Sequence, residues 1–202
     1  MTTRSVPALA ALLLLAPAAV LGDASFTSAE QEGQPAVYLE LDPESPNNEL
    51  RLKVMVDGVE DLYGVSFQLR YPDRILRFEE EQTTEGDLLA TVPPPADDEE
   101  ADSSEDEEPA EVETFLVARR RAPKRVIVGL TRVGEEPGIS GSGHLLTLVF
   151  RARADIRGRG KFRWEENDLV DSTGFPIQEV EWVKGTAVVN TVQPPVPPSP
   201  PR

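Results

Sequence analysis

Apolar and polar residues alternate with a period of two along much of the chain. Residues 50–56 carry an aliphatic side chain at every even position, and residues 63–71 carry an aliphatic or aromatic one at every odd position. Alternation of this kind is typical of a β-strand with one face in a core. We therefore predict that Phe67, Leu69 and Tyr71 point inward and that the polar residues between them point outward.

Further short apolar runs continue this rhythm between residues 36 and 190. They cover residues 37–41, 75–78, 115–117, 126–130, 145–150, 162–164 and 180–189, and turn dipeptides such as Asp57-Gly58 and Pro72-Asp73 separate neighbouring runs. After the N-terminal region, no long stretch shows the apolar spacing of an amphipathic helix. The pattern predicts an all-β domain over 36–190, built as a two-sheet antiparallel jelly-roll sandwich of about nine strands.

The ends of the chain differ in composition from this domain. Residues 1–22 combine Arg4 with the apolar run 8–15 and small residues before Gly22, which is the pattern of a secretory signal peptide. The run is short for a membrane span, so we expect cleavage and a secreted, periplasmic or extracellular protein with no membrane span, although a retained anchor remains the alternative. Residues 23–35 are predicted to be a flexible lead-in, and 191–202 a stiff proline-rich tail.

The formal charge of −16 is concentrated in one segment. Eleven of the 36 acidic residues lie between Asp97 and Glu113, where there is no Lys or Arg, and the other acids nearly balance 20 basic residues. So much like charge with so few apolar residues cannot offset the entropy of ordering, so we predict a disordered acidic insertion over 92–112. The charge balance argues against nucleic acid, or an anionic membrane surface, as the partner.

Few residues offer catalytic or metal-binding chemistry. The chain has no cysteine and one histidine, His144, which lacks the partners that a catalytic or metal site requires. Asp168 and Asp171, close to Trp164, are the best candidates for a carboxylate pair, but nothing in the pattern builds a cleft around them. We expect no catalytic residue, no metal and no cofactor, and we predict that the protein is not an enzyme.

Four stretches of the chain form a more specific pattern. They cover residues 50–58, 62–76, 126–150 and the closing segments 171–177 and 185–189. In this order they resemble the cohesin domains of bacterial scaffolding proteins and the cohesin-like domains of exported bacterial proteins. The most specific part is Gly-Ile-Ser-Gly-Ser-Gly-His-Leu-Leu-Thr-Leu-Val-Phe at 138–150, a glycine-serine loop that enters an apolar strand. One departure is Pro72-Asp73, which inverts the usual Asp-Pro order.

The resemblance implies a function as well as a fold. Cohesins are nine-stranded jelly rolls that bind dockerins, small calcium-loaded helical modules, through one flat sheet face. The resemblance places Leu130 in register with a contact leucine of the family, and Ser66 where dockerin-binding cohesins often carry an acidic residue. It implies a dockerin-like protein or an envelope protein as partner, and the candidate partner-binding residues are Gly64, Ser66, Gln68, Arg70, Val128 and Leu130.

Two other functions are compatible with the same fold class. Related jelly rolls bind polysaccharide through an exposed aromatic strip, for which Trp164 and Trp182 are the candidate residues. A structural role in an envelope or secretion assembly is the third hypothesis, with the proline-rich tail as a spacer. We favour the non-catalytic protein-binding module, because most aromatic residues occupy positions that alternation turns inward.

Overall fold

A computed structural model describes residues 24–33, 35–91, 112–121, 123–153 and 156–190. The predicted signal peptide, the proline-rich tail and nearly all of the predicted acidic insertion lie outside these described residues. Within the described ranges, eleven β-strands and one short 3-10 helix are present. None of the helical structure described is long and apolar enough to cross a membrane.

The strands follow one another closely along the chain. They are β1 (Ala24–Ser28), β2 (Ala36–Leu41), β3 (Glu49–Arg70), β4 (Leu76–Phe78), β5 (Thr84–Glu85), β6 (Thr114–Arg121), β7 (Arg125–Arg132), β8 (Ile139–Ala152), β9 (Gly158–Asp171), β10 (Glu181–Trp182) and β11 (Gly185–Val189), with the 3-10 helix at Glu80–Gln82. All pairs are antiparallel except the short contact between β2 and β10. The prediction of an all-β antiparallel jelly-roll sandwich is confirmed.

The 22-residue strand β3 belongs to both layers of the sandwich. Its first half pairs with β2 and β8, and this sheet extends to β10 on one side and to β4 and β5 on the other. Its second half pairs with β7 and β9, and this second sheet continues through β6 on one side and through β11 and β1 on the other. The segments predicted as two separate strands, 50–56 and 63–71, are therefore parts of one long strand.

The predicted turn at Asp57-Gly58 is wrong, because the chain bends there without reversing. Gly58 and Asp61 have positive φ values of 68° and 54°, a left-handed backbone that glycine and aspartate tolerate better than most residues. The register between β3 and β8 shifts between Val56 and Val59 and again before Leu62. We call this bend the β3 corner; it redirects the strand from one sheet into the other.

The glycine-serine run singled out in the sequence holds the β3 corner in place. Ser142 Oγ accepts a hydrogen bond from the Gly58 N–H at 3.0 Å, and Ser140 Oγ accepts one from the Asp61 N–H at 3.0 Å. The Asp61 carboxylate in turn accepts the Gly138 N–H at 3.1 Å. The serines thus satisfy backbone donors at the two residues where regular strand pairing is interrupted.

Replacing Gly138 by alanine should destabilise the protein by about 1–3 kcal/mol, the usual cost of overpacking. A β-carbon at position 138 would overlap the carboxylate and the carbonyl of Asp61, so the β3 corner would have to move. Gly129→Ala is the matched control, since a β-carbon there meets open space. Urea unfolding of both variants checks this, and equal midpoints would show that Gly138 does not constrain the corner.

The core lies between the two sheets and is filled by residues that alternation turns inward. Phe67, Leu69 and Tyr71 are all buried, as predicted from the pattern. Phe150 lies at the centre of an aromatic group, with its ring centroid 5.1 Å from that of Phe162 and 5.2 Å from that of Tyr71. Each such pair contributes about 0.5–1.5 kcal/mol beyond the apolar area it buries.

The predicted flexible lead-in, residues 23–35, contains a strand. Strand β1 pairs with β11 over five residues, and the Phe26 ring packs edge-to-face on Phe162 with centroids 5.6 Å apart. Gly185 makes room for that ring, because a β-carbon at this position would overlap it. The segment is predicted to be flexible because its residues are polar and small; the order of β1 comes from pairing with a strand about 160 residues away, which local pattern cannot reveal.

Candidate functional site

The second sheet presents an outer surface built from four adjacent strands, β6, β7, the second half of β3, and β9. Cross-strand partners in antiparallel sheets share a face, so the register defines which side chains lie side by side. Four rows result: Phe115, Thr131, Gly64 and Val170; Val117, Gly129, Ser66 and Asp168; Arg119, Ile127, Gln68 and Glu165; Arg121, Arg125, Arg70 and Arg163. We call this surface the four-stranded face.

Four of the six residues predicted to bind a partner lie on the four-stranded face. Ser66 and Arg70 are exposed and Gln68 is half-buried, whereas Gly64 lies at the floor of the surface. These positions agree with the predicted outward direction of the even-numbered residues of β3.

The other two, Val128 and Leu130, point the opposite way, and their prediction as surface residues is corrected. Each is 1% exposed, and they pair across the sheet with the inward residues Phe67 and Val65. The outward residues of β7 are Arg125, Ile127, Gly129 and Thr131. The sequence contained the signal that would have found them, since Val126, Val128 and Leu130 form an unbroken period-two apolar set.

One end of the four-stranded face is apolar. The Phe115 side chain is 60% exposed, and beside it lies a shallow groove of about 240 Å³. Its walls include Val117 and Val170, and its floor runs along Gly64 and Gly129. The groove exists because these two glycines sit on adjacent strands, and at Gly129 the space that a side chain would fill is open. Sequence alternation could not reveal Phe115 as a surface residue, because an aromatic side chain in a strand usually faces a core.

The opposite end of the face is charged. Glu165 accepts a hydrogen bond from Arg125 Nε at 2.6 Å and lies 3.4 Å from Arg70 Nη1. The hydrogen bond from Arg125 and the positive charges of both arginines lower the pKa of Glu165 below its ordinary value. Gln68 donates to the neighbouring Glu166, so polar side chains in the middle of the face are linked to one another.

Trp164 and Trp182, the candidate sugar platform, are half-buried and pack against the core. Their ring centroids are 5.1 Å apart at an angle of 65°, and Trp164 also packs edge-to-face on Phe67. The Trp164 Nε1–H donates to the Val183 carbonyl at 2.7 Å. They therefore do not form the exposed, coplanar pair that carbohydrate stacking would require.

Asp171 and His144, two of the three residues considered for chemistry, have structural partners, and Asp168 is exposed. One Asp171 oxygen accepts the backbone N–H groups of Thr173 and Phe175, both at 2.9 Å, and the Thr173 hydroxyl; these hydrogen bonds lower the pKa of Asp171. His144 is half-buried, which lowers its pKa, and its Nε2 lies 3.0 Å from the Thr147 hydroxyl. Among the described residues, no three His, Asp or Glu side chains are grouped to hold a metal ion.

Comparison with known proteins gives similarity in structure only. No family model and no curated protein matches the sequence. The second type II cohesin module of the ScaA scaffoldin of Acetivibrio cellulolyticus superposes with a TM-score of 0.54 at 12% identity, covering 78% of this chain and 91% of that one. The solution structure of CaCohA2 from Clostridium acetobutylicum gives a TM-score of 0.53 at 11% identity, covering 77% of this chain and 90% of that one.

A third structure, a type II Cohesin-X-Dockerin complex from Acetivibrio cellulolyticus, superposes with a TM-score of 0.51 at 12% identity, covering 71% of this chain and 93% of that chain. In all three matches the similarity covers at least 90% of the solved chain, so it extends over the whole sandwich rather than a single hairpin. Taken with the two-layer topology around β3, this shows that the chain has a cohesin-like fold.

Proposed function

We propose that this chain is a non-catalytic protein-interaction module that binds an extracytoplasmic protein through the four-stranded face. The observation that carries the proposal is Phe115, a large apolar side chain left 60% exposed beside a preformed groove. An exposed aromatic residue next to a pocket, with polar groups around it, is the usual arrangement of an interface anchor and its rim.

The composition of the face supports a protein rather than a small molecule as ligand. The first row is mostly apolar, the two middle rows mix apolar, polar and charged residues, and the last row is all arginine. The groove is shallow. Enclosed, mostly apolar cavities are typical of small-molecule sites, whereas shallow mixed surfaces are typical of protein interfaces. One solved structure with this fold is a Cohesin-X-Dockerin complex, so that cohesin was solved with a protein bound.

More specifically, we propose that the partner is a dockerin-like module. The other candidate partner is a protein component of the cell envelope. Ser66 at the centre of the face is exposed and uncharged, so it repels neither kind of partner. The predicted signal peptide, residues 1–22, supports binding of the partner outside the cytoplasm.

Replacing Phe115 by serine should abolish capture of the partner without unfolding the protein. Truncating an exposed anchor removes about 2 kcal/mol or more of binding free energy, which is a loss of about thirtyfold, while surface changes usually alter stability by less than about 0.5 kcal/mol. The measurement is capture of exported proteins from the source cells on immobilised protein, followed by titration of the captured protein against each variant.

Phe175→Ser is the matched control, because Phe175 is 68% exposed but lies in the turn after β9 and does not line the groove. This variant should bind the partner as the unmodified protein does. If Phe115→Ser and Phe175→Ser retain binding equally, the four-stranded face is not the site of recognition.

A further inference from the structure

Four arginines lie side by side at the charged end of the four-stranded face, one from each strand. The register pairs Arg121 with Arg125, Arg125 with Arg70, and Arg70 with Arg163. We call these four residues the arginine row. With neighbouring strands about 4.8 Å apart, the row spans about 14 Å across the sheet.

The arginine row is only partly neutralised within the chain. Glu165 pairs with the two central arginines, Arg70 and Arg125. Among the residues that the structure describes, neither Arg121 nor Arg163 forms an ion pair, and both are exposed. Like charges directly opposite each other in a sheet are destabilising, so this arrangement lowers the stability of the free protein. An anionic ligand would relieve that repulsion.

The positive surface continues from the arginine row along β9. Arg159 and Lys161 alternate in register with Arg163 and are exposed on the same side of the strand. Together with Arg70 they border a depression of about 370 Å³. Gly160 lies against Pro72, where a β-carbon would not fit, and this contact keeps the start of β9 close to the end of β3.

We propose that the arginine row binds an acidic polypeptide segment of the partner protein; this rests on the proposed function and names the chemistry of the partner. The chain carries a formal charge of −16, yet six of its 20 basic residues lie in the arginine row and beside it along β9, so this surface is a local exception to the charge of the whole. Guanidinium groups bind carboxylates with two parallel hydrogen bonds, which gives geometric selectivity as well as attraction. An extended segment about five residues long would match the length of the row.

A polypeptide fits this surface better than nucleic acid does. Glu165 and Asp168 project from the same face, one and two rows away from the arginines. A polyphosphate backbone with uniform charge would be repelled by these carboxylates, whereas a peptide can place acidic residues over the row and an uncharged or apolar residue further along. The apolar groove beside Phe115 lies on the same face and offers a place for such a residue.

The test is fluorescence anisotropy of a labelled oligoglutamate peptide with the full chain at low ionic strength. The double variant Arg121→Gln with Arg163→Gln should bind the peptide about fivefold more weakly, since each exposed ion pair contributes about 0.5 kcal/mol. Added salt should reduce the difference, because screening weakens exposed charge pairs.

The matched control is Arg51→Gln with Lys53→Gln, which removes the same amount of charge from the outer surface of the other sheet. Equal weakening by both double variants, or no peptide binding at all, would overturn the proposal. Tighter binding of a single-stranded oligonucleotide of equal charge, with the same dependence on Arg121 and Arg163, would overturn it in favour of nucleic acid. In any of these cases, loss of partner capture by Phe115→Ser would leave the proposed function standing.

Discussion

Replacing Leu130 by alanine should lower the free energy of unfolding by about 2–5 kcal/mol, the range measured when a buried leucine is truncated. Leu130 is 1% exposed and lies in the layer of β7 side chains that faces the other sheet, opposite Val65. Its truncation removes apolar contacts and leaves a cavity between closely packed strands that have little freedom to collapse. Urea unfolding, followed by circular dichroism, measures the change.

Ile127→Ala provides the comparison on the same strand. Ile127 faces outward between Arg119 and Gln68 and is only half-buried. Its truncation should therefore lower the free energy of unfolding by less than about 1.5 kcal/mol. If Ile127→Ala lowered the free energy of unfolding more than Leu130→Ala, the Ile127 side of β7 would be the one that faces the core. The comparison therefore tests which set of β7 side chains lines the core.

Phe67→Ala should lower the free energy of unfolding by about 3–5 kcal/mol, the largest effect of the single substitutions considered. Phe67 is 1% exposed, and its ring centroid lies 4.9 Å from that of Trp164 and 6.1 Å from that of Trp182. Removing the ring takes away the surface on which both indoles pack. We expect a lower urea midpoint together with a red shift of tryptophan fluorescence, since these are the two tryptophans of the chain.

Phe115→Ala is the control for Phe67→Ala, because it also removes a phenylalanine ring but from the outside of the sheet. The Phe115 ring lies on the outer side of the sheet, so its truncation should change stability by less than about 0.5 kcal/mol and leave the tryptophan emission unchanged. An unchanged emission spectrum in Phe67→Ala would contradict the aromatic packing described here, whatever its effect on stability.

The alternation of side chains carried enough information to predict the fold. Inward Phe67, Leu69 and Tyr71 were assigned correctly because a strand with one buried face has only two choices of side. The β3 corner was not predictable, because Asp57-Gly58 has the composition of a hairpin turn. The serines of the 138–143 run, which reach the corner from a distant part of the chain, accept the backbone donors where the strand bends.

The candidate site was harder to predict than the fold. The arginine row combines residues from four strands, and Arg70 and Arg163 are separated by more than 90 positions in the chain. No local pattern brings them together, since their proximity depends on strand order and register. The error at Val128 and Leu130 has a different origin: the resemblance places them on the binding face, whereas the alternation of the strand itself turns them inward.

The antiparallel pairing of β1 with β11 has a mechanical consequence. Ala24 and Val189 are direct partners, so the two ends of the sandwich leave from neighbouring points on one edge. Tension applied through those two residues would open the ladder like a zipper, one hydrogen bond after another, and would not shear all five residue pairs at once. The β1 strand should therefore detach under low force while the layers joined by β3 stay closed.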